Sequence, residues 1–329
     1  MKNKEKTISV IAGGAGFIGV NLGRELLKNN RQIIVADNFS LGSKENIKNY
    51  LGQSFTDILS VDLSKISGVS RLFNYCKDHY GQVNEIWHLA ANSDIPSGVN
   101  DSNVDLRDTF LTTFNLLEGA KLNDVKKFHF ASSSAVYGDW LGKPLSETLG
   151  PLKPISNYGA MKLASEAQIC AAAESFLAEA NIFRFPNVVG VPATHGVILD
   201  FINQLKKCPE QLEVLGNGKQ RKSYLHVSEL VSAMIFLSDK ANRNRLVEVV
   251  NIGCDDDGIL ISDIAKVVKK AMAPAASILF GNEDRGWLGD VPKFSYNIDY
   301  LRSLGWSPEL SSRDAVRLAA REILEEISK

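Results

Sequence analysis

Tyr158 and Lys162 stand four residues apart in Asn157-Tyr158-Gly159-Ala160-Met161-Lys162, at the head of an alanine-rich helical run. On a helix that spacing sets the phenol and the ammonium on one face. A phenol titrates near pH ~10, so a tyrosine base working near neutrality needs roughly 4 kcal/mol of preferential phenolate stabilisation, much of which a neighbouring ammonium can supply. The chemistry on offer is proton abstraction. So short a pattern also occurs on ordinary amphipathic helices, and its weight depends on the elements that position it.

Those elements alternate. Thr7 to Ala12 is a short apolar, β-branched run of the kind that forms a buried parallel strand. It enters Gly13-Gly14-Ala15-Gly16-Phe17-Ile18-Gly19, after which Val20 to Leu27 has helical periodicity. A strand, a glycine turn and a helix are the context of a dinucleotide fingerprint, with Gly13, Gly16 and Gly19 bringing backbone N–H groups and a helix N-terminus to a pyrophosphate. A second strand, Gln32 to Ala36, ends at Asp37, at the offset of an acid that hydrogen-bonds an adenosine ribose and repels a 2′-phosphate, which favours NAD over NADP. A third strand, Thr56 to Val61, ends in Asp62-Leu63, with the carboxylate near an adenine amino group. A fourth, Glu85 to Leu89, runs into Ala90, Ala91 and Asn92, small residues that let a nicotinamide-side ribose approach. His88 lies inside this run and reads as a packed histidine.

Asp101 to Lys121 reads as one long amphipathic helix. The next strand, Lys127 to Ser132, delivers Ser133 and Ser134 to the carboxyl end of the sheet, where open α/β sheets bind ligands, although a serine cluster is also ordinary turn chemistry. Strands alternating with helices imply a Rossmann-type, doubly wound parallel sheet, with residues 1–180 as its main body. Beyond Arg184 the rhythm is irregular. Segments near 181–195 and 225–255 are expected to return to the sheet, and 190–329 to form mainly a smaller, interleaved C-terminal α/β substrate lobe.

Composition narrows the class. The 329 residues carry 37 basic and 38 acidic side chains, a formal net charge of −1, with no broad footprint for nucleic acid or anionic membrane. Cys76, Cys170, Cys208 and Cys254 are scattered, so neither a metal site nor a disulfide framework is expected. No segment has the length of a membrane span or the form of a signal peptide, and a cytoplasmic location is expected.

Taken together, these motifs resemble the extended short-chain dehydrogenase/reductase family, and within it the NAD-dependent nucleotide-sugar epimerases of the UDP-glucose 4-epimerase type. The resemblance runs from the glycine turn through Asp37-Asn38, Asp62-Leu63, His88-Leu89-Ala90-Ala91, Ser132 to Gly138, and Tyr158 with Lys162. It continues in Arg184 to Gly190, Gln220 to Val227, Gly289-Asp290-Val291-Pro292 and Leu304-Gly305-Trp306. It implies that Ser133 hydrogen-bonds the reacting sugar oxygen, that Tyr158 is the base and that Lys162 holds the nicotinamide ribose and depresses the phenol. It implies NAD contacts at Gly13, Gly16, Phe17, Ile18, Gly19, Asp37, Asn38, Asp62, Leu63, Leu89, Ala90, Ala91 and Pro186. Substrate contacts are implied at Asn92, Ser134, Asn187, Val197, Val214, Leu215, Arg221, Arg285 and Asp290; by their position alone, Asn92, Ser93, Asp94, Trp140, His195 and Gly196 are expected toward the sugar. Arg221 also has its own physical case, a planar bidentate donor suited to pyrophosphate.

The chain departs from the family at Trp287, where an arginine is usual and Arg285 lies nearby, and at Pro186, where many relatives carry an aromatic. The activity implied is epimerisation at C4 of a nucleotide-diphosphate hexose, a UDP-hexose above all, through a transient 4-keto sugar. The 4,6-dehydratases and decarboxylases of the family usually carry acids after the catalytic hydroxyl, and here Ser134 and Ala135 follow Ser133. A 4-dehydrogenase or reductase stays open, and a non-catalytic NAD-binding regulatory protein would tend to lack the tyrosine or lysine. The resemblance further implies a homodimer joined through paired helices.

Overall fold

The computed structural model describes residues 6–51, 57–240, 245–286 and 291–328. Thr56, Trp287, Gly289 and Asp290 lie outside them. Six strands follow the expected order: β1 (Ile8–Ala12), β2 (Gln32–Asp37), β3 (Asp57–Ser60), β4 (Glu85–His88), β5 (Lys127–Ala131) and β6 (Glu179–Arg184). With the strand Val247–Asn251 they form one seven-stranded sheet, in the order Val247–Asn251, β6, β5, β4, β1, β2, β3. The pairings within β1–β6 are parallel. The strands are near-continuous apolar runs because both faces are covered, and Ile11, Ile34, Ile86 and Phe128 are fully buried. This is the expected Rossmann-type α/β sheet. Its order reverses between β1 and β4, the crevice where such sheets take ligands.

The chain divides into two compact units. The first, Met1–Val136, Ser156–Arg184 and Met234–Val250, carries the sheet. The second comprises Tyr137–Ile155, Phe185–Ala233 and Asn251–Lys329. In it the helices Val197–Lys207, Ile261–Met272 and Ser312–Ile327 share an apolar core with the parallel strand pair Gln211–Val214 and Ser277–Phe280.

One expected element is not uniform. The run from Asp101 to Lys121 is a short helix Ser102–Asp105, a π-helical turn Leu106–Leu111 and an α-helix Thr112–Leu122. The wider turn brings Thr109 and Thr113 inward, where their hydroxyls meet the Asn92 N–H (3.2 Å) and His88 Nε2 (2.8 Å). Apolar spacing alone does not register such a change of pitch, and π-turns recur beside functional sites.

Candidate active site

The glycine turn is built by two different constraints. Gly13 has φ of +78°, and a Cβ there would lie 2.6 Å from the Ala90 N, while a Cβ on Gly19 would lie 2.6 Å from the Gly13 carbonyl oxygen. These two glycines let the loops after β1 and β4 and the following helix close on one another. Gly16 is different. A Cβ there would meet only the Gly13 oxygen, at 3.4 Å, and its backbone, φ −79° and ψ 173°, is open to any residue. Gly16 caps the 12-residue helix Phe17–Lys28 with no side-chain hydrogen bond and no acid in the first turn, so the helix N-terminus presents bare N–H groups. Asp37, 8 % exposed, accepts from the Ala15 N–H (2.9 Å) and the Phe39 N–H (2.8 Å). Burial pushes its carboxyl up, opposed by these bonds. A cradle that a Cβ would fill, a free helix N-terminus and a carboxylate anchored to the turn fit the pyrophosphate and ribose of NAD.

Gly16→Val is therefore expected to weaken NAD binding by tenfold or more while leaving the unfolding midpoint near that of the unsubstituted protein. Gly19→Ala, which strikes backbone, is expected to lower both. Isothermal titration and thermal unfolding of the two variants separate the effects. Asp62 has a different local role. Burial would raise its carboxyl, but Ser64 and Lys65 together hold it low, and Ser64 donates to Oδ1 from both its hydroxyl (2.6 Å) and its N–H (3.1 Å). Leu63 is buried, and its carbonyl accepts from Asn115 at 3.2 Å.

Tyr158 and Lys162 lie on the helix Asn157–Ser175, whose N-cap Ser156 accepts from the Gly159 N–H at 3.1 Å. The helix ends at Ser175, and β6 starts at Glu179. Lys162, 2 % exposed, donates from Nζ to the Ala131 carbonyl at 2.6 Å and lies 4.6 Å from the Phe130 ring centroid and 5.7 Å from that of Tyr158. Ser133 Oγ accepts from the Ala135 N–H at 3.2 Å, and its hydroxyl lies close enough to Tyr158 to favour the phenolate. Burial dominates both titrating groups. The phenol keeps some solvent access yet is pushed up to about 12 by burial, against the Ser133 hydroxyl and with Asp105 adding to the rise. The ammonium is pushed down to about 7, against the charges of Glu166 and Asp105. In the protein alone, then, Lys162 does not outweigh the desolvation of Tyr158.

Behind this pair lie carboxylates that the sequence did not single out. Asp105 is fully buried, accepts from Asn92 Nδ2 at 2.9 Å on one oxygen, and rests its other oxygen against Gly98, where a Cβ would come within 1.8 Å. Asn92 also donates to the Asp94 carbonyl and is 5 % exposed, so its amide shapes the loop after β4. His88 is buried and, with its basicity lowered by burial and then by Lys162, behaves as the packed histidine expected. Glu166, one turn beyond Lys162, accepts from Ser132 Oγ and from Arg184 Nε (3.0 Å) and Nη2 (2.6 Å).

The second unit holds the residues expected toward the nucleotide. Asn187 opens the strand Asn187–Val189, paired in parallel with Tyr224–His226. Arg221 donates to the Gly258 carbonyl at 3.1 Å, and Arg285, 48 % exposed at its side chain, donates to Asp139 at 3.3 Å. Val214 is buried whereas Leu215, the next residue, is 71 % exposed, and Phe280, the register partner of Val214, is 44 % exposed. Val197 begins the helix Val197–Lys207 behind Gly196, Pro186 is buried, Ser134 opens a single helical turn, and Asp290 lies outside the described residues.

Comparison with known proteins agrees with this architecture. The NAD dependent epimerase/dehydratase family profile matches residues 9–253. A crystal structure of a UDP-galactose 4-epimerase is 32 % identical and superposes over 98 % of this chain and 100 % of its own with a TM-score of 0.86. The UDP-glucose 4-epimerase of Thermus thermophilus, in complex with NAD, is 26 % identical over 97 % of this chain and 99 % of its own, with a TM-score of 0.83. UDP-glucuronic acid decarboxylase 1 of Xenopus tropicalis is 27 % identical over 317 residues, 94 % of this chain and 70 % of the relative. With this family profile covering most of its length and a 4-epimerase structure matched end to end, the chain belongs to the NAD-dependent epimerase/dehydratase family.

Proposed function

We propose that the protein is a nucleotide-sugar 4-epimerase acting on a UDP-hexose. The observation that carries the reading is the Ser133–Tyr158–Lys162 arrangement beside a turn fitted for NAD. Bound NAD supplies a hydride acceptor and donor and a positively charged nicotinamide ring. Tyr158 takes the proton of the sugar C4 hydroxyl, and Ser133, its oxygen held by the Ala135 N–H, donates to the same oxygen as charge develops there. Lys162, as an ammonium, offsets the phenolate charge. The 4-keto sugar turns over within the site so that C4 is reduced on its other face, and Tyr158 returns the proton to the C4 oxygen. Arg221, Arg285 and Asn187 hold the diphosphate, so that binding energy is placed on the part of the substrate that does not react.

The decarboxylase relative makes oxidation at C4 followed by loss of a C5 carboxylate the rival reading. Ser134 and Ala135, which offer no carboxylate beside Ser133, support epimerisation. The reading includes a homodimer joined on the helical face where Leu106 and Phe114 are 43 % and 39 % exposed. Among the described residues no helix is long and apolar enough to cross a membrane.

Purified protein incubated with UDP-, CDP-, GDP- and dTDP-hexoses, without added NAD, is expected to interconvert C4 epimers of one UDP-hexose pair, followed by NMR. An accumulating keto sugar that requires stoichiometric NAD, or release of carbon dioxide from UDP-glucuronic acid, would overturn the proposal.

A further inference from the structure

The helix that carries Tyr158 grips the end of β5 at two consecutive residues. Lys162 donates to the Ala131 carbonyl at 2.6 Å, and Glu166, one turn on, accepts from the Ser132 hydroxyl. Ser133 is the next residue. The Ser132 N–H in turn donates to the Phe183 carbonyl at 2.8 Å, and Arg184, the last residue of β6, closes on both oxygens of Glu166. Glu166 and Arg184 are 4 % and 6 % exposed, so the carboxylate spends its bonding capacity inside the protein. A buried ion pair is weak evidence of stability, because the desolvation of two charges offsets their attraction. Its placement says more. The distance from Ser133 to Tyr158 is set by how the end of β5 docks on this helix, and two of the side chains that dock it are Lys162 and Glu166.

We propose that Glu166 is a positioning residue for the proton transfer: through Ser132 it fixes Ser133 against Tyr158, and its negative charge, one helical turn away, supports Lys162 as an ammonium. The inference rests on the assignment of Tyr158 as base. The titratable groups around Lys162 come from several elements. Glu166 lies on its own helix, Asp105 on the short helix Ser102–Asp105 and His88 on β4, while Arg184 on β6 is matched to Glu166. With Lys162 held near 7 by burial, removal of Glu166 takes away the first of the two charges that oppose that fall.

The test compares Glu166→Gln, the apolar pair Glu166→Met/Arg184→Met, and Ser132→Ala, which cuts only the tie to β5. Glu166→Gln takes from the buried Arg184 the carboxylate on which it closes and is expected to unfold at lower temperature. The apolar pair is expected to recover that stability. All three are expected to lose kcat, the two Glu166 variants by roughly 10- to 100-fold, with KM little changed, since misplacement of a catalytic group is felt in the chemical step. In the two Glu166 variants the alkaline limb of the kcat profile moves to lower pH, because Lys162 loses its proton earlier.

The same displacement is expected in a nitrogen-15 NMR titration of the Lys162 side chain in the NAD-free protein, assigned by its disappearance in Lys162→Met. An apolar pair that folds and turns over like the unsubstituted enzyme, or a Lys162 titration unmoved in Glu166→Gln, overturns the inference. Full activity in Tyr158→Phe would instead overturn the assignment beneath it.

Discussion

Tyr158→Phe is expected to lower kcat/KM for the epimerised sugar by about 10²–10⁴-fold, the range that a positioned acid–base group contributes. The substitution keeps the ring and its packing and removes only the hydroxyl, which meets Ser133. The unfolding midpoint is therefore expected to stay within a degree or two, and the loss to fall on the chemical step. Steady-state kinetics beside a thermal melt makes the distinction. A variant that is both stable and fully active would remove the phenol from the reaction. The raised phenol, about 12 in the protein alone, sharpens the expectation. A phenol so reluctant to ionise can serve as a base only when positive charge faces it, so a variant that neutralises Lys162, Lys162→Met, is expected to be impaired even with Tyr158 intact.

Much of this site was legible because its parts are local. Gly13, Gly16 and Gly19 lie within seven residues, Tyr158 and Lys162 within one helical turn, and Asp37 at the end of the strand next to β1. The sheet was legible for the same reason, since strands buried on both faces are continuous apolar runs. The supporting network was not. Glu166 meets Ser132 across 34 residues and Asp105 meets Asn92 across 13. Neither separation follows a helical or strand period, so a buried acid looks like a surface acid until the chain is folded. The π-turn at Leu106–Leu111 was hidden by an apolar stripe that an unbroken helix would also satisfy. Gly98, spaced like any small residue, owes its identity to the carboxylate of Asp105 packed against it.

The second large effect concerns stability, at the amino-terminal ends of the strands in the first unit. Glu85, 2 % exposed on β4, accepts from Ser9 Oγ (2.5 Å), from Trp87 Nε1 (3.0 Å) and from Arg31, and His129 Nε2 lies 3.5 Å from its other oxygen. Arg31 also reaches Asp239. Burial alone would raise the Glu85 carboxyl, but His129, Arg31 and Ser9 together outweigh it and hold the group well below the carboxylate range. Glu85→Gln leaves Arg31 and His129 facing a neutral amide and is expected to cost about 3–5 kcal/mol, the usual effect of removing one member of a buried ion pair.

The sign of the pH dependence follows from the depressed value. The contribution of Glu85 is complete above the ordinary value of 4.5 and is lost as the pH falls from there toward its value in the folded protein. Urea unfolding at pH 7 is expected to show the full deficit of Glu85→Gln, and the gap to the unsubstituted protein is expected to narrow progressively below pH ~4.5. A deficit that stays constant across that range would assign the cost to packing instead of charge.

The central claim, that one carbon of the sugar is oxidised and then reduced again on its other face, is tested most directly with UDP-glucose carrying deuterium at C4 of the hexose. Incubated with the protein in ordinary water, it is expected to give UDP-galactose that retains the deuterium at C4, because the hydride leaves and returns within one binding event while only the hydroxyl proton passes through Tyr158. Loss of the label to solvent, its transfer to C6, or its release with an accumulating 4-keto sugar would contradict the account.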